Sequence, residues 1–431
     1  MELTDFDCNQ FIAILQEELV PALGCTEPIA IAYAGAHARA LLGKIPDRVC
    51  IKSSGNIIKN VKSVTVPNSG NMKGIPAAAA IGIIGGNPDK GLEVLADITE
   101  ADIARTKEFL EKIPCKVSLL DTVASLHFIV EVFAGADSAS VEIIHQHTNI
   151  VRKTKNGKDI LSVPFDPASA NAALTDRSGL SVKKILEFAD TIDLDRVRPI
   201  LERQIDYNTR IAQEGLEHRY GINAGANLLK AAEAEQAVTL KIRAQAAAAA
   251  GSDARMSGCT LPVVTNSGSG NQGLTASLPV IVFAEEKKLP HDKLLRGLLV
   301  SNLIAIHQKT RIGRLSAYCG AVSAGCGSGA AVTYLSGGSY EQVCETITNT
   351  LAVVSGIVCD GAKPSCASKI ATSVDAALNA HYLAMQNRVF EPGEGIVKGD
   401  IEKTIAGVGA IAADGMRETD KVILRIMVDD D

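Results

Sequence analysis

A change of pattern along the chain constrains its fold more than any other feature. Between about residues 46 and 165, short segments alternate β-branched and polar residues, which is typical of β-strands. After about residue 179 these segments give way to long stretches with apolar residues at helical spacing. We therefore predict an α+β protein, with N-terminal helices and a small α/β module followed by a large all-helical domain.

Proline, glycine and polar residues divide this pattern into three predicted parts. Residues 8–20 are spaced as a helix, and a second, Ala-rich helix is expected from the Thr26–Glu27–Pro28 start to about Gly43. The sequence NGKD at 156–159 predicts a hairpin turn. The predicted parts are N-terminal helices packing on the helical domain at 1–45, the α/β module at 46–165 and the all-helical domain at 180–431.

Composition and charge exclude several kinds of partner. The net charge is −6 and no run of Lys or Arg forms a basic patch, so we expect no nucleic acid partner. No segment is apolar and long enough to span a bilayer, and MELTDFDCNQ lacks the regions of a signal peptide. Ten cysteines without a secretory signal predict reduced thiols in the cytoplasm. A mean hydropathy of +0.15 is slightly high for a monomer and predicts a homodimer.

Three cysteines lie in segments that carry almost no charge. They are Cys319 in RLSAYCGAVSAG, and Cys359 and Cys366 in SGIVCDGAKPSC. In a reducing compartment, such cysteines are more often metal ligands or reactive thiols than disulfide partners. Three thiolates are one fewer than a fully ligated [4Fe-4S] cluster needs, which leaves one iron open to act as a Lewis acid. The spacing fits no standard zinc or ferredoxin pattern, so buried structural thiols remain the alternative on these residues alone.

These two segments resemble the iron–sulfur L-cysteine desulfidase family, which is related to the α chain of iron–sulfur L-serine dehydratases. Other segments agree with the same family along nearly the whole chain: PALGCTEPIAIA (21–32), VPNSGNMKGIPAAAAIG (66–82), HTNIV (147–151) and SDARMSGCTLPVVTNSGSGNQG (252–273). The resemblance implies that Cys319, Cys359 and Cys366 bind a [4Fe-4S] cluster. It also implies that the small-molecule substrate is L-cysteine.

Cys25 lies in a tight GCTEP turn directly before the second predicted helix. The partial positive charge at a helix start favours the thiolate form of such a residue. From the residue type alone, a small apolar side chain that fills a turn is the alternative. The resemblance implies an essential catalytic cysteine at this position, and we expect Cys25 to transfer a proton at the substrate.

Two loops rich in small residues supply further candidates. Residues 264–273 (VTNSGSGNQG) offer hydroxyls, amides and free N–H groups before a helical stretch, an arrangement that favours binding of a carboxylate. Residues 67–74 (PNSGNMKG) have the same character. Neither loop fits a nucleotide-binding motif, so we expect neither ATP nor NAD. The predicted substrate contacts are Asn266, Ser267, Asn271, Asn68 and Ser69, with Lys73 beside them.

Arg255 and His147 complete the set of predicted substrate-binding residues. Arg255 can pair bidentately with an amino-acid carboxylate, and an ion pair with Asp253 is the alternative. His147 and Asn149 are expected at the end of a strand, where a side chain reaches a cleft between domains. A structural role is the alternative for this histidine.

The reaction that the resemblance implies is an α,β-elimination of L-cysteine to sulfide, ammonia and pyruvate, with the cluster as Lewis acid and no redox change. Pyridoxal phosphate would need a Schiff-base lysine, and the sequence singles out none. Three alternatives remain at this stage. They are an L-serine dehydratase, a non-enzymatic iron–sulfur sensor and a zinc–thiolate protein.

Overall fold

The structure is a computed structural model, and it describes residues 3–167, 174–313 and 316–428. It consists of a mixed β-sheet and a layered set of helices. The strands are β1 (Pro21–Leu23), β2 (Arg48–Ser53), β3 (Cys115–Leu119), β4 (His127–Ala134), β5 (Asp137–Ile144), β6 (Ile150–Lys155), β7 (Lys158–Ser162) and β8 (Pro262–Val264). Short 3₁₀ helices span Pro88–Glu93 and Leu194–Arg196, and a π-helical turn spans Ile411–Gly415.

The α-helices lie at both ends of the sheet region and throughout the second half of the chain. They are α1 (Asp5–Glu18), α2 (Thr26–Leu42), α3 (Gly55–Val61), α4 (Gly74–Gly85), α5 (Glu100–Lys112), α6 (Val182–Thr191), α7 (Arg198–Glu217), α8 (Ala224–Ala234), α9 (Leu240–Met256), α10 (Gly270–Glu286), α11 (His291–Ile312), α12 (Gly320–Leu335), α13 (Tyr340–Val353), α14 (Cys366–Ala384), α15 (Ile401–Ala410) and α16 (Arg417–Val428). The mixed α+β class predicted from the sequence is confirmed.

The main sheet has six strands in the order β3-β2-β4-β5-β6-β7. Strands β2 and β3 are parallel, and the other neighbours are antiparallel. Alternate side chains of the central strands are fully buried, among them Ile51 and Val130, which face each other across β2 and β4. The turn predicted at NGKD joins β6 to β7, with Asn156 and Gly157 both at positive φ, as a tight hairpin requires.

The two N-terminal helices belong to different cores. Helix α1 packs on the helical region, where the Phe11 ring meets the Phe188 ring edge-on at 5.4 Å between centroids. Helix α2 packs instead with α4 over the sheet. The small residues of α2 allow this, because they permit a close approach of helix backbones. The division at 1–45, 46–165 and 180–431 stays a prediction, but the contacts place α2 with the sheet rather than with the helical region.

Residues 62–67 (KSVTVP) differ from the strand that their pattern indicates. They contribute only an isolated bridge between Thr65 and Lys73. Pro67 ends the extended run, and Asn68 and Asn71 then take positive φ, which turns the chain back on itself. The segment therefore forms a loop that leads into α4.

The helical region is built around α11 and α12, whose contacts with each other are the most extensive in the fold. Helices α9, α10 and α14 surround them. Across the described ranges, no helix combines the length and the apolar character that crossing a membrane requires. This region carries the second part of the chain's motifs, from Arg255 to Cys366.

Close packing of α2 on α4 predicts a strong effect of one added methyl group. A Cβ atom on Gly82 would overlap the backbone of Ala32, whereas a Cβ on Gly407 in α15 would meet no atom within 4 Å. We expect Gly82→Ala to lower the free energy of unfolding by about 1–3 kcal/mol. Gly407→Ala should be neutral or stabilise by up to about 1 kcal/mol. Thermal unfolding followed by circular dichroism checks this, and equal midpoints for the two variants would contradict it.

Candidate active site

Backbone pairing brings Cys319 and Cys359 together although they lie 40 residues apart in sequence. The Cys319 N–H donates to the carbonyl of Ile357 at 2.8 Å, and the Cys359 N–H donates to the carbonyl of Ala317 at 2.6 Å. Tyr318 lies opposite Val358 in the resulting antiparallel bridge. Cys319 then caps the start of α12. Two half-buried thiols are thereby fixed side by side.

Cys366 and Cys25 adjoin this pair. Cys366 is the first residue of α14, and its thiol donates to the Gly361 carbonyl at 3.7 Å. Cys25 is the residue before α2 and shares a small apolar cluster with Cys366 and Met256. All ten cysteines are free thiols. The structure thus places the three predicted cluster ligands and the predicted catalytic cysteine in one neighbourhood.

The three thiols differ in their affinity for protons. A hydrogen bond from Cys319 and the nearby charge of Lys59 hold the pKa of Cys359 below its usual range, against the opposing effect of burial. The same hydrogen bond and burial hold the pKa of Cys319 well above that range. Burial also raises the pKa of Cys366. Metal binding at this centre would therefore have to displace protons from Cys319 and Cys366.

Cys25 is a protonated thiol, not the thiolate that its place before a helix predicts. Burial raises the pKa of its thiol to about 11, and the charge of Arg255 offsets only part of that effect. The thiol is almost completely removed from water. Loss of hydration therefore outweighs the helix dipole, and Cys25 keeps its proton at neutral pH.

Two buried lysines, which the sequence analysis missed, lie next to the cysteines. Lys59 in α3 and Lys309 in α11 are 2% and 3% exposed, and the charges of both favour the Cys359 thiolate. Burial lowers the pKa of Lys309 to about 8. The sequence did contain a signal for Lys309. It lies at helical spacing from Asn302 and Ala305, so it shares their face of α11, and that face is buried.

The turn at residues 266–269 is held rigidly in place. Asn266 and Ser269 exchange two backbone hydrogen bonds, at 3.1 and 3.0 Å, and Ser267 between them has φ of 51°. The buried Asn266 amide donates to the backbone and side-chain oxygens of Asn302 in α11. Ser267 in turn donates to the side-chain oxygen of Asn266 at 2.9 Å. The hydroxyl of Ser267 therefore has a fixed position.

Arg255 is a buried guanidinium, and no ion pair involves it within the described part of the chain. It donates to the side-chain oxygen of Asn271 at 3.2 Å, and its Nε has no hydrogen-bond partner. Asp253 accepts instead from the Gly225 N–H, and burial raises the pKa of Asp253 to about 6. A Cβ on Gly270 would overlap Arg255, so this glycine makes room for it. The geometry favours an anion site at Arg255 over the alternative ion pair.

A cavity of about 340 Å³ opens beside the turn. Ser267 and Lys309 lie in its wall, as do Glu18 at the end of α1 and Arg177, which donates to Glu18. Lys309 also adjoins Cys319 and Cys359 electrostatically. Lys309 therefore links the wall of this cavity to the surroundings of Cys319 and Cys359.

The other predicted residues do not converge on the cysteines. Loop 67–74 reaches the Cys25 turn through Pro67, which packs on Gly24, but the side chains of Asn68 and Ser69 donate to carbonyls of Leu95 and Val66. His147 lies in the turn between β5 and β6, at 145–149, not at a strand end. In the part of the chain that the structure describes, the hydrogen bonds of Asn68 and Ser69 stay within the sheet region and do not reach the cysteines. Their role as substrate contacts stays a prediction.

The cysteine centre has the ligand type and the charged surroundings that an iron–sulfur cluster requires. No group of three or more His, Cys, Asp or Glu side chains within the described ranges is arranged to hold one ion. Three free thiols supply the ligand type of an iron–sulfur cluster, and buried Lys59 and Lys309 would offset the negative charge of a thiolate-bound cluster. The residues fit the group.

Comparison with known proteins identifies the family of this chain. The model of the serine dehydratase alpha chain family matches residues 89–425, which include all three cysteines of the centre. A UPF0597 protein of Treponema denticola is 57% identical over the full length of both chains. UPF0597 proteins of Lachnoclostridium phytofermentans and Fusobacterium nucleatum are 54% and 50% identical, each over 97% of this chain and 99% and 98% of their own. The chain therefore belongs to the serine dehydratase alpha chain family, an iron–sulfur family of lyases.

Proposed function

We propose that this protein is an L-cysteine desulfidase that converts L-cysteine to sulfide, ammonia and pyruvate by α,β-elimination. The observation that carries the proposal is the meeting of three thiols, Cys319, Cys359 and Cys366, next to Cys25 and to the Arg255 guanidinium, which forms no ion pair with any described residue. Cysteine thiolates hold iron–sulfur clusters, and a buried unpaired cation requires an anion. L-Cysteine fits both features, because its carboxylate can pair with the buried cation and its thiol can bind iron.

Cys319, Cys359 and Cys366 would hold a [4Fe-4S] cluster in this reading. When bound by three thiolates, such a cluster supplies an open iron, a Lewis acid that makes sulfide a better leaving group. Lys59 and Lys309 would offset its negative charge from two sides of the fold, the sheet region and the helical region. Cys319 caps α12 and Cys366 begins α14, so the positive ends of two helix dipoles also favour the thiolates.

Arg255 binds the substrate carboxylate in this proposal. Its Nε–H is free to donate, and Asn271 orients the guanidinium through the 3.2 Å hydrogen bond. The first turn of α10 begins at Gly270 beside it, which adds backbone N–H groups and the positive end of that helix. A carboxylate held there leaves the α carbon and the thiol of the substrate on the side of the cysteines.

We assign proton transfer at the substrate α carbon to Sγ of Cys25. The resting group is a thiol, because burial raises its pKa to about 11. To accept the α proton, Cys25 must first release its own proton to water, and the charge of Arg255 favours the resulting thiolate. Exclusion of water from Cys25 also keeps solvent away from the reacting carbon, which protects the intermediate enamine from premature side reactions.

The first experiment is a paired assay on protein reconstituted with iron and sulfide under strict anaerobiosis, with the unreconstituted protein as control. We expect sulfide and pyruvate to appear in equal amounts from L-cysteine, and only in the reconstituted sample. A fully loaded cluster without turnover would contradict the proposal and favour an iron–sulfur sensor. Zinc without acid-labile sulfide would contradict the iron–sulfur site itself.

Two cysteine substitutions separate the proposed roles. Cys359→Ala should lose both iron and activity, because it removes a cluster ligand. Cys25→Ala should keep the absorption of the cluster but lower kcat by about 10²-fold or more, as expected for a proton-transfer residue. Cys50→Ala, at a half-buried position of β2, serves as the control and should change neither quantity. Full activity of Cys25→Ala would show that its assigned role is wrong.

Arg255→Gln tests the carboxylate site. Loss of a charge-assisted hydrogen bond costs about 1.5–3 kcal/mol, so kcat/KM for L-cysteine should fall about 10–100-fold, mainly through a higher KM. Arg243→Gln is a matched control, because Arg243 pairs at 2.9 Å with Glu286 on a more exposed surface. Equal effects of the two substitutions on KM would remove Arg255 from the substrate site.

L-Serine dehydration is the second candidate, and the family match favours it specifically. The two reactions share the proton transfer and differ in the leaving group, which is hydroxide rather than sulfide. The same reconstituted sample assayed with both amino acids in parallel decides between them. A higher kcat/KM for L-serine would replace the desulfidase by the dehydratase.

A further inference from the structure

Lys59 is a lysine in an unusual place, between the cysteine centre and the last helix of the chain. Its side chain is 2% exposed, and its ammonium lies 2.5 Å from Oδ1 of Asp420 in α16. Fully buried lysines are rare and need a partner, because an ammonium without one pays a large desolvation penalty. Asp420 is that partner.

On its other side, Lys59 meets the segment that carries Cys359. A Cβ on Gly361 would overlap the carbonyl oxygen of Lys59, so the backbone after Cys359 rests directly on α3. Gly361 has φ of 96°, which an L side chain rarely adopts. Asp360, between them, is already paired with Lys363 and Lys369. The backbone of Lys59 therefore touches the segment after Cys359, its ammonium pairs with Asp420, and its charge favours the Cys359 thiolate.

Helix α16 is attached to α3 at two further points. Leu424 lies so close to Gly55 that a Cβ there would overlap it, and the ammonium of Lys62 donates to the Met427 carbonyl. The contacts of Asp420, Leu424 and Met427 cover two turns of α16. The last helix is thus a fixed neighbour of α3 and, through Lys59, of the segment that carries Cys359.

We propose that Asp420 is a positioning residue of the cysteine centre, which holds the Lys59 ammonium beside Cys359 and so makes the last helix necessary for firm retention of the cluster. The inference rests on the iron–sulfur part of the proposed function. A thiolate-bound cluster is an anion in a poorly hydrated place, and a cation fixed next to it lowers the cost of keeping it there. Without Asp420, Lys59 gains by turning away toward water.

The test compares Asp420→Asn with Glu418→Gln, which removes the same charge two residues earlier from an exposed pair with Lys421. Reconstituted proteins are challenged anaerobically with an iron chelator, and loss of cluster absorption is followed in time. Partners of metal ligands typically contribute about 10–100-fold to metal affinity, so Asp420→Asn should lose iron at least about tenfold faster than wild type. Glu418→Gln should match wild type, and Asp420→Glu should recover most of the retention.

A second measurement separates this inference from a general loss of folding. In the iron-free proteins, amide hydrogen exchange should rise at 55–61 and 359–361 in Asp420→Asn and stay unchanged in Glu418→Gln. Wild-type protein that takes up no cluster would refute the proposed function and the claim about retention together. Equal iron loss from Asp420→Asn and Glu418→Gln, with the wild type loaded, would overturn this inference alone.

Discussion

The short antiparallel pairing of residues 317–319 with 357–359 is the constraint on which the rest of the site depends. It fixes two thiols next to each other before any cofactor is considered. The same two hydrogen bonds set where α12 begins and where the chain turns toward Cys366. Because backbone atoms form this pairing, the path of the chain places the two cysteines close enough for their side chains to hydrogen-bond.

Positive charge gathers around that pairing from several elements. Helices α2, α10, α12 and α14 all begin in this neighbourhood, with Gln272 of α10 packed on Gly320 of α12. Buried Lys59 and Lys309 add full charges to these partial ones. The fold therefore creates an anion-favouring centre from two cores, and the turn at 266–269 is tied to α11 of this region through Asn302.

Patterns of neighbouring residues predicted the strands, the hairpin turn and the grouping of the cysteines. Alternation gave the strands, Asn156–Gly157 gave the hairpin, and the apolar context of the cysteines indicated a shared site. Effects of tertiary structure could not be predicted from local patterns. Burial keeps Cys25 protonated, although its place before a helix predicts a thiolate. Nothing in the sequence distinguishes Lys59 from a surface lysine, because its burial and its partner Asp420 depend on the fold. The side chains of Asn68 and Ser69 hold their own loop together, a use that composition does not distinguish from binding a substrate.

The cysteine centre draws on both ends of the chain, from Cys25 at the start of α2 to Asp420 in α16. Loss of α16 would leave the Lys59 ammonium buried without the carboxylate that pairs with it. A cut in the chain between α15 and α16, far from Cys359 in sequence, would therefore still affect the segment that carries this thiol.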